Sequence, residues 1–301
     1  MWFKNLCLFQ LPQSLNITPE QLSQKLAEAP FKPCGSQELK RSGWVPPVAK
    51  DATDYIHAQQ GYLMLCARRQ EKLLPSTVVK EQLEERLDQI RNDEDRPVGR
   101  KERQTLKDEV IVDLLPRAFS KSARDYAYIA TRDDLILVDS ASANRAEDLL
   151  SQLRETLGSL KAIPLTPQQA PAQVMTHWLH GEPLPADFVL GEECELRASK
   201  DERVVRLKNL DLSSPEVANH LDTGMYVSKL ALTWKEAIHF VLDDNFMLKR
   251  LKFEDALQEQ ASARNPESAA ETFDADFAVM SLELTALVKA LLQALGGKAD
   301  A

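Results

Sequence analysis

The chain has 301 residues, 44% hydrophobic and 28% charged, a balance that excludes wholesale disorder and can furnish one sizeable core or a few smaller ones. No apolar run approaches the roughly 20 residues that span a bilayer, and Met1-Trp2-Phe3-Lys4-Asn5 lacks the apolar core and cleavage site of a secretion signal. Four scattered cysteines without a CxxC then read as thiols in a reducing cytoplasm.

A net charge of −9 argues on its face against a nucleic-acid partner. The distribution weakens that argument. Phe253 to Ala301 holds nine acidic and three basic residues, which leaves only −3 on the other 252. Within those, Arg96 to Arg124 carries eight basic against four acidic side chains, and Arg197 to Lys208 five against two.

In chain order, Trp2 to Leu11 has the apolar density of a buried strand. Thr18 as N-cap, Pro19 at the first helical position and Gln21 closing a capping box predict a helix, with Leu22 and Leu26 inward. Strands are predicted near Gly43-Trp44-Val45 and at 62–67. Val79, Leu83, Leu87 and Ile90 form one amphipathic stripe, and Leu106, Val110, Ile111 and Leu114 another. The break at Asn92 to Gly99 and the stop at Pro116 predict an antiparallel helical hairpin, roughly 22 Å long at 1.5 Å per residue. Its stripes are narrow, so it is expected to project from the body.

Residues 126–130 and 135–138 flank Thr131-Arg132-Asp133-Asp134 as a β-hairpin. A helix over 143–157 turns Ala146, Leu149, Leu150 and Leu153 inward and stops at Gly158. A short strand at 163–165 follows. Five prolines between Pro164 and Pro185, around a short helix at 174–179, mark the passage to a second region. There, strands at 203–210, 226–234, 237–243 and 246–253 surround a helix running from Ser214-Pro215 to Gly224. The last helix, about 274–295, is apolar around most of its circumference and demands burial, in the core or against a second subunit. The whole predicts an α+β fold of mixed and antiparallel sheets with packed helices and a projecting helical hairpin.

No enzyme motif emerges. GxxxxGK[ST], GxGxxG and GxSxG are absent. His177 and His180 have the spacing to share a metal but no further ligand pair nearby, so a solvated helix face is the simpler reading. Cys34 with His57 fits no nucleophile–base spacing. Asp187, Glu193, Glu195 and Arg197 loosely echo a nuclease metal site, but an arginine stands where a lysine base belongs. Asp133-Asp134 and Asp243-Asp244 suit tight turns. A protein without a catalytic site and without a cofactor is expected.

Cationic stretches stand out instead. On strand 203–210, Val205 and Leu207 face one way and Arg206 and Lys208 the other, with Arg250 and Lys252 as a second such pair. Arg96, Arg100, Lys101 and Arg103 crowd the hairpin tip. Pro116-Arg117-Ala118-Phe119-Ser120-Lys121 sets an aromatic between cations, and Phe119 reads either as core or as an exposed ring. Phosphates require cations, and an aromatic can stack on bases.

Longer strings of residues carry a family resemblance. Trp2-Phe3-Lys4-Asn5-Leu6, Pro33-Cys34-Gly35-Ser36-Gln37, Gly43-Trp44-Val45-Pro46-Pro47 and Cys66-Ala67-Arg68 resemble the recombination-associated protein RdgC family. So do Leu114-Leu115-Pro116-Arg117-Ala118-Phe119-Ser120, Leu248-Lys249-Arg250-Leu251-Lys252-Phe253 and Phe273-Asp274-Ala275-Asp276-Phe277, in order along the chain. The resemblance implies a cytoplasmic, nucleoid-associated protein that binds DNA, double- or single-stranded, without marked sequence preference. It implies a ring-shaped homodimer with a positively lined hole that encircles duplex DNA and opposes RecA-promoted strand exchange. By the same analogy, residues 1–75 with 120–165 form a centre domain, 76–119 a hairpin tip and 166–301 a base. Inner-surface positions fall at Arg96, Arg117, Phe119, Lys121 and Lys208. The alternative readings are a protein-interaction module that acts on a recombinase directly, and a metal-dependent nuclease.

Overall fold

The structure, a computed structural model, describes residues 1–49, 52–262 and 266–299. Two antiparallel sheets and eight α-helices make up the described residues, an α+β fold. The first sheet contains β1 (Cys7–Gln10), β2 (Lys40–Val45), β3 (Ile56–Gln59), β4 (Tyr62–Lys72), β5 (Ser120–Ala130), β6 (Leu135–Val138) and β7 (Ile163–Pro164). Its order is β2-β4-β5-β6-β1-β7, with β3 also pairing β4.

Period-two alternation assigns the two faces of this sheet to two different cores. Phe9, Leu63, Leu65, Ile129 and Ile136 face α1 (Pro19–Glu28), whose Thr18 capping box forms as predicted, and the four-residue apolar stripe of α4. That helix, Ala143–Leu157, buries Ala146, Leu149, Leu150 and Leu153 and ends on Gly158 at φ +79°, a conformation glycine adopts without a Cβ penalty. Leu8, Met64, Tyr128, Leu135 and Leu137 face the opposite way, into the larger core.

The second sheet, ordered β12-β11-β10-β8-β9, supplies the other wall of that larger core. Its strands are β8 (Phe188–Ala198), β9 (Val204–Lys208), β10 (Met225–Trp234), β11 (Ile238–Asp243) and β12 (Leu248–Phe253). The helices α5 (Pro171–Leu179) and α6 (Pro215–Asp222) bury Trp178, Met175, Val217 and Leu221 in the same cluster. Reciprocal backbone bonds between Leu6 and Leu248, 2.7 and 3.1 Å, join the two sheets at β1 and β12.

The last helix, α8 (Ala269–Ala294), resolves the two options its apolar circumference left open. Phe277, Met280, Leu284, Leu287, Val288 and Leu291 are buried within the chain's own core. Each such side chain contributes about 1.5–3 kcal/mol by burial. The Tyr128 hydroxyl reaches the Ser281 carbonyl (3.3 Å) and Thr285 Oγ1 (3.1 Å), so the polar groups at this junction are satisfied.

The two central amphipathic stripes are α2 (Ser76–Glu94) and α3 (Arg100–Leu114), followed by a 3-10 turn over Leu115–Arg117. Arg86 bonds Asp113 and Arg103 bonds Glu84, each at 2.5 Å, tying the pair together. Only Val79, Leu83, Leu87 and Val110 are buried in them. Three elements had no counterpart in the sequence reading: β3, β8 and α7 (Asp255–Ser262). The predicted strand Trp2–Leu11 is shorter, because only Cys7–Gln10 pairs regularly.

Candidate nucleic-acid interface

β4 and β5 are eleven residues each and pair along their whole length. Their inner halves are buried; the outer halves, 68–72 and 120–124, carry mainly polar and charged side chains. The register sets Arg68 opposite Arg124, Gln70 opposite Ser122 and Lys72 opposite Ser120. By alternation these six share one face. Local contacts hold the cations still: Arg68 lies 4.6 Å over the Phe31 ring and bonds Ser122 Oγ at 3.3 Å. Arg124 bonds the Tyr126 hydroxyl at 3.2 Å, and Lys72 Nζ lies 3.4 Å from the Ala118 carbonyl. Among the described residues, none of Arg68, Lys72 and Arg124 has a carboxylate partner. Stacked, fixed guanidinium groups lose little entropy on meeting phosphate.

Gly43 makes the Arg68–Phe31 contact possible. It sits opposite Arg68 on β2, and a Cβ there would lie 2.4 Å from Phe31 Cα. The chain after α1 can therefore cross β2 closely and bring Phe31 beneath the guanidinium.

Arg117, Phe119 and Lys121 stand where this paired ribbon meets the turn after α3. Leu115, at the start of the turn, is buried and anchors it. The Phe119 carbonyl accepts from Leu73 N–H at 2.7 Å, so its backbone is fixed while its ring is 84% exposed. The core reading of Phe119 is thereby overturned. Leu39 and Leu73, 53% and 47% exposed, are linked to the same corner through Lys72 N–H to Leu39 O, 2.8 Å, and Leu73 to Phe119. Neither Arg117 nor Lys121 has a carboxylate partner among the described residues. Lys121 points to the other face of the ribbon from Arg68 and Arg124, across from Glu71, which itself binds Arg69 at 3.0 Å.

Arg96 lies elsewhere, between α2 and α3. Its fork is filled by Glu102, at 2.7 and 2.8 Å, and its Nε by Glu94 at 2.5 Å. A phosphate there must displace two exposed carboxylates, whose hold is weak in water.

Arg206 and Lys208 occupy a third place, the outward side of β9, with Val205 and Leu207 turned inward as the alternation predicts. Arg206 Nε bonds Glu195 at 2.9 Å, and Lys208 lies 3.9 Å from Glu193. Arg250 reaches the same Glu193 at 2.8 Å. Its backbone is left-handed, φ +54°, at a bulge where β12 slips against β11. Lys208, Arg250 and Lys252 thus border one cleft of 550 Å³ whose lining includes Gly191 and Ala231. The predicted resemblance between strands 203–210 and 246–253 therefore has a geometric counterpart.

The weaker chemical candidates separate in space. His177 faces Glu182 (3.5 Å) and His180 faces Asp222 (3.6 Å), so the two do not converge. Cys34 Sγ bonds the Gln70 carbonyl, whereas His57 lies against Asp274 and Phe273. Glu193 and Glu195 are each engaged by cations, and no group of three metal-binding side chains occurs among the described residues. Burial pushes the thiols of Cys7 and Cys66 up to about 12 and that of Cys194 to about 11, the wrong direction for a nucleophile.

The sequence reading did not single out Arg68, Lys72, Arg124 or Phe31. The available signal was the alternation of Arg68-Gln70-Lys72 and Ser120-Ser122-Arg124 beyond the apolar part of each strand, but their juxtaposition depends on the register.

A family model described as "Putative exonuclease, RdgC" matches residues 1–298. The chain is 43% identical over 301 residues, all of this chain and 99% of the relative, to the recombination-associated protein RdgC of Yersinia pestis (strain Pestoides F). Identity and coverage are the same for the proteins of that name from Yersinia pseudotuberculosis (serotype O:1b) and Yersinia enterocolitica (serotype O:8). Similarity at that level along the entire length means that the chain belongs to the RdgC family of recombination-associated proteins.

Proposed function

We propose that this protein binds DNA without sequence preference and has no catalytic site. The observation that carries the reading is the β4–β5 corner: five cations without carboxylate partners among the described residues, beside an 84% exposed phenylalanine on fixed backbone. The groups offered there are suited to phosphate, and phosphate contacts carry no sequence information. Arg117 and Phe119 flank this surface, and Lys121 extends it on the other face of the same ribbon. Arg96 contributes separately from between α2 and α3 after displacement of its carboxylates, and Arg206 and Lys208 form a further cationic face. In this reading the α2–α3 pair is a projecting helical hairpin, residues 76–119, that serves as a tip to a centre of 1–75 with 120–165 and a base of 166–301. Two chains close into a ring around duplex DNA, and the protein, associated with the nucleoid, limits RecA-promoted strand exchange by occupying the DNA. The cations that engage Glu193 and Glu195 favour binding over metal-assisted cleavage at those carboxylates.

Duplex titration over a range of salt tests this. Log K is expected to fall with log [salt] by about 0.9 per phosphate neutralised, equally for scrambled sequences, with the DNA intact after incubation with Mg²⁺ or Mn²⁺. A flat salt response rejects the DNA reading, and metal-dependent cleavage rejects the non-enzymatic one.

A further inference from the structure

Glu195 on β8 is a buried carboxylate, its side chain 6% exposed, with more cations than its own charge requires. Its Oε1 accepts from Arg197 Nε and Nη2, at 3.2 and 3.0 Å, and from the Ser228 hydroxyl at 3.0 Å. Its Oε2 accepts from Arg206 Nε at 2.9 Å and Lys229 Nζ at 3.0 Å. Ser228 and Lys229 are consecutive, yet both reach this carboxylate. A bulge between Val227 and Lys229, where β10 slips against β8, allows it.

One cation neutralises one buried carboxylate; three around it leave two positive charges in excess, held within a few ångströms of each other. The surplus cations repel one another, a repulsion that water at their exposed sides screens only in part. An anion arriving from solvent relieves the repulsion. All three cations retain access to water, with side-chain exposures from 34% at Lys229 to 66% at Arg206. Two further carboxylates stand close: Asp244 acts on Arg197 through space, and Asp243, which binds Lys249, is the cross-strand partner of Lys229.

We infer that Arg197, Arg206 and Lys229 form a preorganised site for one phosphate of the DNA backbone, and that Glu195 is its positioning residue. The inference rests on the DNA-binding reading and deepens it. Burial opposes ionisation of Glu195, but the bonds from Lys229, Arg206, Arg197 and Ser228 outweigh it and hold the carboxyl at about 2, so the anchor stays charged wherever the protein is folded near neutrality.

Glu195→Gln separates positioning from simple charge. The substitution makes the protein one unit more positive, so bulk electrostatics requires tighter binding. Positioning requires the reverse: duplex affinity about tenfold weaker at fixed salt, with the slope of log K against log [salt] reduced by about 0.9, one phosphate's worth. Tighter or unchanged binding by the folded variant overturns the inference while leaving the DNA reading of the native protein intact. A native protein that does not bind duplex DNA removes both. If Glu195→Gln melts well below the native protein, the double variant Arg197→Gln/Lys229→Gln decides, since Glu195 keeps Arg206. A slope lower by about 0.9 supports the site, and a native slope overturns it.

Discussion

Phe119 and Arg117 are neighbours with separable duties. The Phe119 ring is almost entirely in solvent and its backbone is held by Leu73, so Phe119→Ala removes no core volume. Its melting temperature is expected to match the native protein. If the ring stacks on a base or sugar, the variant binds DNA about 1–3 kcal/mol more weakly with an unchanged salt slope. Arg117→Ala is expected to lower that slope by about 0.9 with affinity falling on all sequences alike. Titration of both variants at several salt concentrations, beside thermal melting, checks the pair. A Phe119→Ala protein with native affinity leaves the ring without a DNA role. At this scale the sequence was informative where chemistry is local: the flanking cations and the helix-ending Pro116 marked the corner, although Phe119's exposure was not decided until the strand pairing was known.

Among the elements, β4 and β5 show how a register creates what no single segment displays. Arg68 and Arg124 are 56 residues apart in sequence and become opposite partners only through an eleven-residue ladder. The close crossing at Gly43 belongs to the same construction. Gly43→Ala drives a Cβ into the Phe31 backbone, which cannot yield as a flexible side chain would. We expect a loss of about 1–3 kcal/mol in stability, together with weaker DNA binding as Phe31 withdraws from Arg68; chemical denaturation and duplex titration of the variant measure the two effects. Helices with complete punctuation, α1 with its Thr18–Gln21 box and α4 with Gly158, were legible because capping and periodicity are local. β8 was not. Glu193, Glu195 and Arg197, on its face opposite Cys194 and Leu196, imitate a metal site, and the buried Glu195 breaks the apolar alternation that signals a strand. β3 is four residues long and contains His57 and Gln59, while α7 buries only Leu257 and Ala261. Neither presents enough apolar periodicity to register.

For the molecule as a whole, most of the apolar circumference of α8 is buried in the chain's own core, with Leu282 left 52% exposed. The remaining exposed apolar side chains include Leu39, Leu73, Val78, Val112 and Phe119, on and around the α2–α3 pair. This region offers apolar surface for a contact between the two chains of the proposed ring. Sedimentation at micromolar concentration is expected to report a species of twice the chain mass, and a strict monomer removes the ring. The position of α8 has a further consequence, in time rather than space. The first sheet's inner face, with Met64, Tyr128 and Leu137, lacks its cover until residues 269–294 have been synthesised. At about 5–20 residues per second, roughly 8–30 s separate the completion of β6 from the arrival of that helix. Through this interval the nascent chain carries an uncovered apolar sheet and depends on whatever shields it at the ribosome. A chain truncated before α8 leaves that face bare and is expected to be lost to proteolysis, which a pulse-chase of the truncated product measures.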